Sequence, residues 1–275
     1  MLNYPNIDPN IFKIGPWEIH LMGKSFLLGP LAFRWYGMMY LLGFAAAYWV
    51  LNRYVRRNPK GGFTQEDISD AVFYGALGVI LGGRFGYILF YNLPYYFEDP
   101  RRILFVWEGG MSFHGGFLGT LAAMILFSHH KKIPFYKIAD IAIIAIPIGL
   151  FLGRIGNFIN GELYGRATDV PWCMKFPAGG SSCRHPSQLY EALLEGVVLF
   201  LFLLYLNRKK FPPGVKFWSF IAGYGFFRFI VEFFREPDSH LGFILGPFSM
   251  GQLLSFPMAL TGAGMIIFLF RKRAV

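Results

Sequence analysis

Charge is what this sequence has least of. Asp, Glu, Lys and Arg make up only 15% of its 275 residues, where a soluble domain carries about 25%. Cysteine is nearly absent as well. Cys173 and Cys183 are the two present, and their spacing is not that of a metal site. They are read either as a disulfide in an oxidising compartment or as two free thiols. There is no G-x-x-x-x-G-K-[ST], no H-E-x-x-H and no G-x-S-x-G, so nothing points to a nucleotide loop, a zinc protease or a hydrolase elbow. No cofactor and no metal is called for. No internal repeat is visible. The first thirty residues hold Pro5, Pro9, Pro16 and Pro30 with scattered charges, so no cleavable leader is expected there.

What is present is apolar. Hydrophobic residues reach 55%, with 32 phenylalanines, and Trp and Tyr gather near the ends of apolar runs, as interfacial aromatics do. The sequence therefore predicts an all-α polytopic membrane protein. Runs of about 20 apolar residues match the thickness of a bilayer. Seven spans are expected, at about 31–51, 69–92, 111–128, 138–159, 188–206, 217–234 and 249–270, forming one membrane domain over 31–275. Residues 1–30 read as an interfacial arm, with a weak strand alternation at Trp17, Ile19 and Leu21.

The net charge of +10 does not indicate nucleic acid, because the basic clusters are placed by topology. They follow spans one, three, five and seven (Arg53 to Lys60; His129-His130-Lys131-Lys132; Arg208-Lys209-Lys210; Arg271-Lys272-Arg273). The positive-inside rule then puts the N-terminus outside and the C-terminus in the cytoplasm. Glycines three or four apart (Gly75, Gly78, Gly82, Gly86; Gly115, Gly119; Gly149, Gly153) suit close helix packing.

Against this background residues 153–166, GRIGNFINGELYGR, are conspicuous. They put two arginines, two asparagines and a glutamate at the end of an apolar run. An ionisable group at bilayer depth costs at least ~3 kcal/mol on insertion scales, so it needs a partner or a function. Arg154 and Asn157 share one helical face. So do Arg228 and Glu232, four apart, with Tyr224 one turn earlier. Together these groups resemble an anion site. The topology puts His114, the 153–166 motif and the Arg228/Glu232 pair at one outward membrane face. His114, flanked by Phe113 and Gly115-Gly116, is either a helix-end donor or a proton acceptor near neutral pH. Tyr36 reads as an interfacial aromatic and His185 as a cap for span five. Arg84, well inside a span, is expected to reach water, a carboxylate or a headgroup.

At these residues the chain resembles the prolipoprotein diacylglyceryl transferases. The likeness rests chiefly on the long motif at 153–166. Arg34-Trp35-Tyr36-Gly37, His114-Gly115-Gly116, His185-Pro186-Ser187-Gln188-Leu189-Tyr190-Glu191 and residues 227–235, FRFIVEFFR, follow the family's blocks in order. Phe117, where a smaller aliphatic residue is expected, departs from the pattern. The resemblance covers roughly residues 30 to 270. It implies a bacterial inner-membrane transferase, a monomer with its active site toward the periplasm. Its substrates would be phosphatidylglycerol and the lipobox cysteine of a prolipoprotein signal peptide, and its products a thioether and glycerol 1-phosphate. By the same resemblance Tyr36, His114, Arg154, Asn157, Glu162, Gly165, Tyr224, Arg228 and Glu232 are functional positions. Of these, Arg154 and Arg228 would hold the phosphate, Asn157 would donate to it, Glu162 and Glu232 would orient the arginines, and His114 would be the base. A lipid flippase or transporter and a seven-span sensor are the rival classes; glycine-broken helices with intramembrane Arg and Glu suit a transporter too.

Overall fold

The computed structural model describes residues 2–5, 7–21, 24–105, 110–237 and 242–274. The protein is mostly helical. Among the described residues, three helical stretches are long and apolar enough to cross a membrane: Gln65–Phe90, Ser187–Asn207 and Met250–Lys272. The number rises to four if the broken pair Phe135–Ala142 and Ile146–Ile159 counts as one span. Many large apolar side chains in these helices are exposed, among them Leu81, Phe90, Leu201 and Ile267, as lipid-facing positions of a membrane protein are.

The first segment is not all-α. Four strands, β1 (Asn10–Ile14), β2 (Trp17–Leu21), β3 (Lys24–Leu28) and β4 (Leu31–Arg34), pair antiparallel as β1 with β4 and β2 with β3. The pairing provides hydrogen-bond partners for backbone that four prolines keep from being helical. It also shortens the first expected span. Helix α1 starts at Trp35, not at Leu31, and runs Trp35–Arg57.

The chain forms two compact units. One comprises residues 47–142, with the end of α1 and with α2 (Gln65–Tyr91), α3 (Leu93–Glu98), α4 (Phe113–Lys131) and α5 (Phe135–Ala142). Thr64 starts α2 by a reciprocal cap: its Oγ accepts from the Asp67 N–H at 3.1 Å while an Asp67 carboxylate oxygen accepts from the Thr64 N–H at 2.8 Å. Gly78, Gly82 and Gly86 of α2 lie directly on Gly115 and Gly119 of α4, where a Cβ would strike backbone; this is the small-residue contact expected from their spacing. Leu51, Val55, Phe63, Ile68, Phe127, Ile138 and Ile141 fill the core. Arg84, expected to seek water, a carboxylate or a headgroup, instead donates to the backbone carbonyls of Arg102, Ile103, Phe105 and Gly110 at 2.5–3.3 Å and lies 5.1 Å over the Tyr96 ring. The loop folds back and supplies acceptors that the bilayer lacks.

The other unit comprises residues 1–46 and 143–275. It holds the strands, the start of α1, and α6 (Ile146–Ile159). A continuous helix follows, made of α7 (Ser187–Glu191), a π-helical segment (Ala192–Val198) and α8 (Leu199–Asn207). After it come α9 (Val215–Val231), a hairpin of β5 (Phe243–Leu245) and β6 (Phe248–Ser249), and α10 (Met250–Ala274). Leu199, Leu203, Leu206, Phe220 and Ile221 form its core with Ile143. Gly225 of α9 meets the backbone of Ser255 and Ala259, and Gly262 of α10 meets Ala222, so α9 and α10 pack at short range.

Candidate active site

The site lies within the second unit. Helix α6 carries Arg154 and the buried Asn157 toward its C-terminal end, and the chain leaves it through Gly161 (φ +65°) and Leu163 (φ +57°). Tyr4, from the N-terminal segment, donates to the Phe158 and Ile159 carbonyls at 2.7 and 2.9 Å. It thereby adds a side-chain donor at the helix end, beside the Gly161 N–H that donates to the Phe158 carbonyl at 3.0 Å.

Arg154 is fixed from two sides. Its Nε is 2.6 Å from Glu191 Oε2, and its Nη1 reaches Asn157 Oδ1 at 3.5 Å. Arg228, on α9, places Nη1 2.7 Å from the same Glu191 Oε2 and pairs through Nη2 with Glu232 Oε1. Glu195 lies 3.8 Å from each guanidinium. Arg235 adds a third guanidinium, with Nη1 3.2 Å from Glu232 Oε1. Ser249 donates to the other Glu232 oxygen at 2.7 Å. Glu191 and Glu195 are completely buried, and the two arginines are 18% and 13% exposed. Each burial is tolerable only because the charges are paired.

The 160–187 loop frames this cluster. Glu162 accepts from Asn157 Nδ2 at 2.8 Å and from Asn160 Nδ2 at 3.1 Å. Among the described residues it thus holds the two amides directly and reaches Arg154 through Asn157, whose Oδ1 accepts from the guanidinium. Asn157's donor is likewise turned to Glu162 in this state. Gly165 donates its N–H to the His185 carbonyl at 2.8 Å. A Cβ at Gly165 would lie 2.5 Å from the Phe234 carbonyl oxygen and 2.6 Å from His185 Cβ, so glycine is required by close approach. Arg166 donates to the Glu232 and Arg235 carbonyls. Cys173 and Cys183 are disulfide-bonded, which decides between the two readings of that pair.

Tyr36, in the first turn of α1, packs on Gly156, where a Cβ would lie 2.9 Å from its ring, and its hydroxyl meets that of Tyr40 at 3.2 Å. Glu162 and Arg154 are among its electrostatic neighbours. Tyr224 stacks on Phe220, and its neighbours in charge are Glu195, Arg228, Arg154 and Glu191. His185 does not cap α7; its Nδ1 is 3.1 Å from the Tyr190 hydroxyl. Burial lowers its pKa below the ordinary imidazole value. His114 belongs to α4 in the other unit, and its side chain lies outside the described residues.

The structure thus brings together Tyr36, Arg154, Asn157, Glu162, Gly165, Tyr224, Arg228 and Glu232. It adds Glu191, Glu195, Arg235 and Ser249, which the sequence did not single out as site residues. Glu195 had a signal: it is an acid inside an apolar span, where an ionisable residue points to function by default. Chemically, the arrangement can grip an anion between two guanidiniums whose directions are set by carboxylates.

Residues 24–268 match the family model described as prolipoprotein diacylglyceryl transferase. The chain is 56% identical to the phosphatidylglycerol–prolipoprotein diacylglyceryl transferase of Geobacter sulfurreducens over 272 residues, 99% of each chain. It is 49% identical to the protein of that name from Bordetella parapertussis, covering 98% of each. It is also 49% identical to that from Methylobacillus flagellatus, covering 99% of this chain and all of the other.

Proposed function

The chain belongs to the prolipoprotein diacylglyceryl transferase family, and we propose that it moves the diacylglyceryl group of phosphatidylglycerol onto the lipobox cysteine of a prolipoprotein. In the reaction the S–H bond breaks and an S–C bond forms to the glyceryl carbon. The C–O bond to phosphate breaks, and its electron pair leaves with glycerol 1-phosphate. Thiolate is the nucleophile, and a free cysteine has a pKa of about 8.5, so a base must take the thiol proton. The departing phosphate gains negative charge and needs fixed cations.

Arg154 and Arg228 grip the phosphate. Arginine suits this because its planar fork binds two oxygens and keeps its charge. Asn157 donates once Glu162 yields its amide, Glu232 holds Arg228 in direction, Tyr36 and Tyr224 border the head group, and Gly165 keeps the loop close. His114 is the proposed base. The single observation that carries the assignment is the meeting of two guanidiniums from separate helices on one carboxylate oxygen, at 2.6 and 2.7 Å. Such convergence marks a position built for an anion.

The finer topology is part of the same proposal: residues 31–275 as one seven-span catalytic domain in the bacterial inner membrane, N-terminus outside, C-terminus cytoplasmic, acting as a monomer with its site toward the periplasm. The bonded cysteines in the 160–187 loop suit an oxidising compartment. The decisive assay supplies purified protein with labelled phosphatidylglycerol and a lipobox peptide. Covalent lipid on the peptide is the expected result. Lipid crossing between leaflets with no bond cleaved would mean a flippase instead.

A further inference from the structure

The six charges at the centre balance before any lipid arrives. Arg154, Arg228 and Arg235 face Glu191, Glu195 and Glu232. A phosphodiester entering this cluster brings one more negative charge into a place where an uncompensated charge is costly. Something must offset it.

Among the six, Glu195 stands apart. Glu191 and Glu232 each receive close guanidinium contacts. Glu195 is completely buried, and neither of its oxygens accepts a hydrogen bond among the described residues. Its two guanidinium neighbours stay at 3.8 Å, beyond hydrogen-bond range. It also sits in the middle of the π-helical segment, a distortion of the kind that recurs at functional sites. The groups facing it are Arg154 from α6, Arg228 and Tyr224 from α9, Glu191 from its own helix and Glu232 just past α9. Two of these are carboxylates, and a further anion on Arg154 and Arg228 would weaken the attractions by which those two arginines favour ionised Glu195.

We infer that Glu195 carries a proton whenever an anionic phosphate occupies the arginine pair, so that the lipid anion and one proton enter the site together. The one bond formed is the O–H of the Glu195 carboxylic acid, its proton taken from the solvent, and the cluster with its ligand stays neutral. The inference rests on the lipid-binding reading of the site.

The test measures binding without turnover. A short-chain phosphatidylglycerol is titrated into the full chain in neutral detergent, with no acceptor peptide, from pH 6 to 9. Proton uptake is taken from the heats in two buffers of unlike ionisation enthalpy. Wild type should take up a rising fraction, approaching one proton per lipid, and at the alkaline end its affinity should fall by about tenfold per pH unit. Glu195→Gln should bind with flat affinity and no uptake. Glu195→Asp, a second variant that keeps the acid, should retain uptake with its midpoint moved. If wild type binds the lipid without uptake across the range, or if Glu195→Gln takes up protons as wild type does, the inference is overturned. Absence of lipid binding by wild type at every pH would instead overturn the transferase site assignment.

Discussion

Arg154 and Arg228 meet at a single atom, Oε2 of Glu191: Arg154 Nε forms an ion pair with it at 2.6 Å and Arg228 Nη1 donates to it at 2.7 Å. Arg228 uses its two terminal nitrogens on different carboxylates, Nη1 on Glu191 and Nη2 on Glu232. Lysine keeps the charge but offers a compact ammonium that cannot span both. Arg228→Lys should therefore lose most transfer, on the order of 100-fold, the loss that follows removal of one fixed donor from a developing anion. The thermal midpoint should fall as well, since one buried carboxylate loses its closest donor. Transfer of labelled lipid to a lipobox peptide checks the first point. Normal turnover by this variant would remove two-pronged phosphate grip from the mechanism.

The Cys173–Cys183 bond closes a loop of sequence separation 10. By loop-closure entropy such a link is worth roughly 2–3 kcal/mol. Reduction, or the Cys173→Ser/Cys183→Ser double variant, should make residues 160–187 more sensitive to protease and lower transfer, because the same loop holds Glu162 and Gly165. The bond also reports on topology. In spheroplasts, an impermeant reductant followed by an impermeant thiol reagent should label both cysteines. Labelling only after the membrane is permeabilised would invert the proposed orientation.

A Cβ added at Gly165 would lie 2.5 and 2.8 Å from two backbone carbonyl oxygens, those of Phe234 and His185. Neither is the end of a flexible side chain, so neither can simply swing away. Gly165→Ala should cost about 1–3 kcal/mol, the usual range for an overpacked site, and should displace the 165–185 and 166–234 backbone contacts. A lower thermal midpoint together with lost transfer is expected. Unchanged stability would mean that the loop closes less tightly on residue 234.

Arg154, Arg228 and Glu232 are legible in the sequence for one physical reason: a charge in an apolar run has to be explained; Gly165 is singled out only by the family resemblance. The same reasoning should have reached Glu195. It could not reach the shared geometry at Glu191, because the π-helical turn at Ala192–Val198 changes which residues share a face, and no 3.6-residue count anticipates that. The resemblance assigns Glu162 to orienting the arginines, whereas the αL turn at Gly161 and Leu163 aims it at two asparagines. Arg84 is expected to reach water, a carboxylate or a headgroup because backbone acceptors at Arg102, Ile103, Phe105 and Gly110 leave no periodic trace. The strands at 10–34 showed only as weak alternation at Trp17 to Leu21, since paired edges of this length need few apolar residues.

His114 carries the chemistry that is hardest to assign. If it takes the thiol proton, His114→Gln should lower kcat by about 10²–10⁴-fold, the range for general-base removal, and should abolish the acidic limb of the pH–rate profile. An unchanged profile and rate would dismiss it as the base and leave proton removal to the phosphate or to another carboxylate.

His185 gives a pH dependence of stability whose sign follows from its surroundings. Its ring is half-buried, with Nδ1 on the Tyr190 hydroxyl and edge contacts to Tyr190 and Phe234. Burial disfavours the charged ring, so its pKa in the folded protein lies below the unperturbed value, which is about 6.5 in the unfolded chain. On acidification the unfolded state takes the proton first. Stability contributed by neutral His185 is thus complete above about pH 6.5 and is lost as pH falls through that value toward the lower folded one, below which the loss levels off. The thermal midpoint of wild type in detergent should decline over that window, above the range where exposed carboxylates titrate. His185→Gln cannot be charged, so that part of the decline should flatten even if the variant starts from a lower midpoint. A wild-type midpoint that rises on acidification through the same window would require a protonated ring in the folded state, and with it an acceptor for the Nδ1 proton stronger than the Tyr190 hydroxyl.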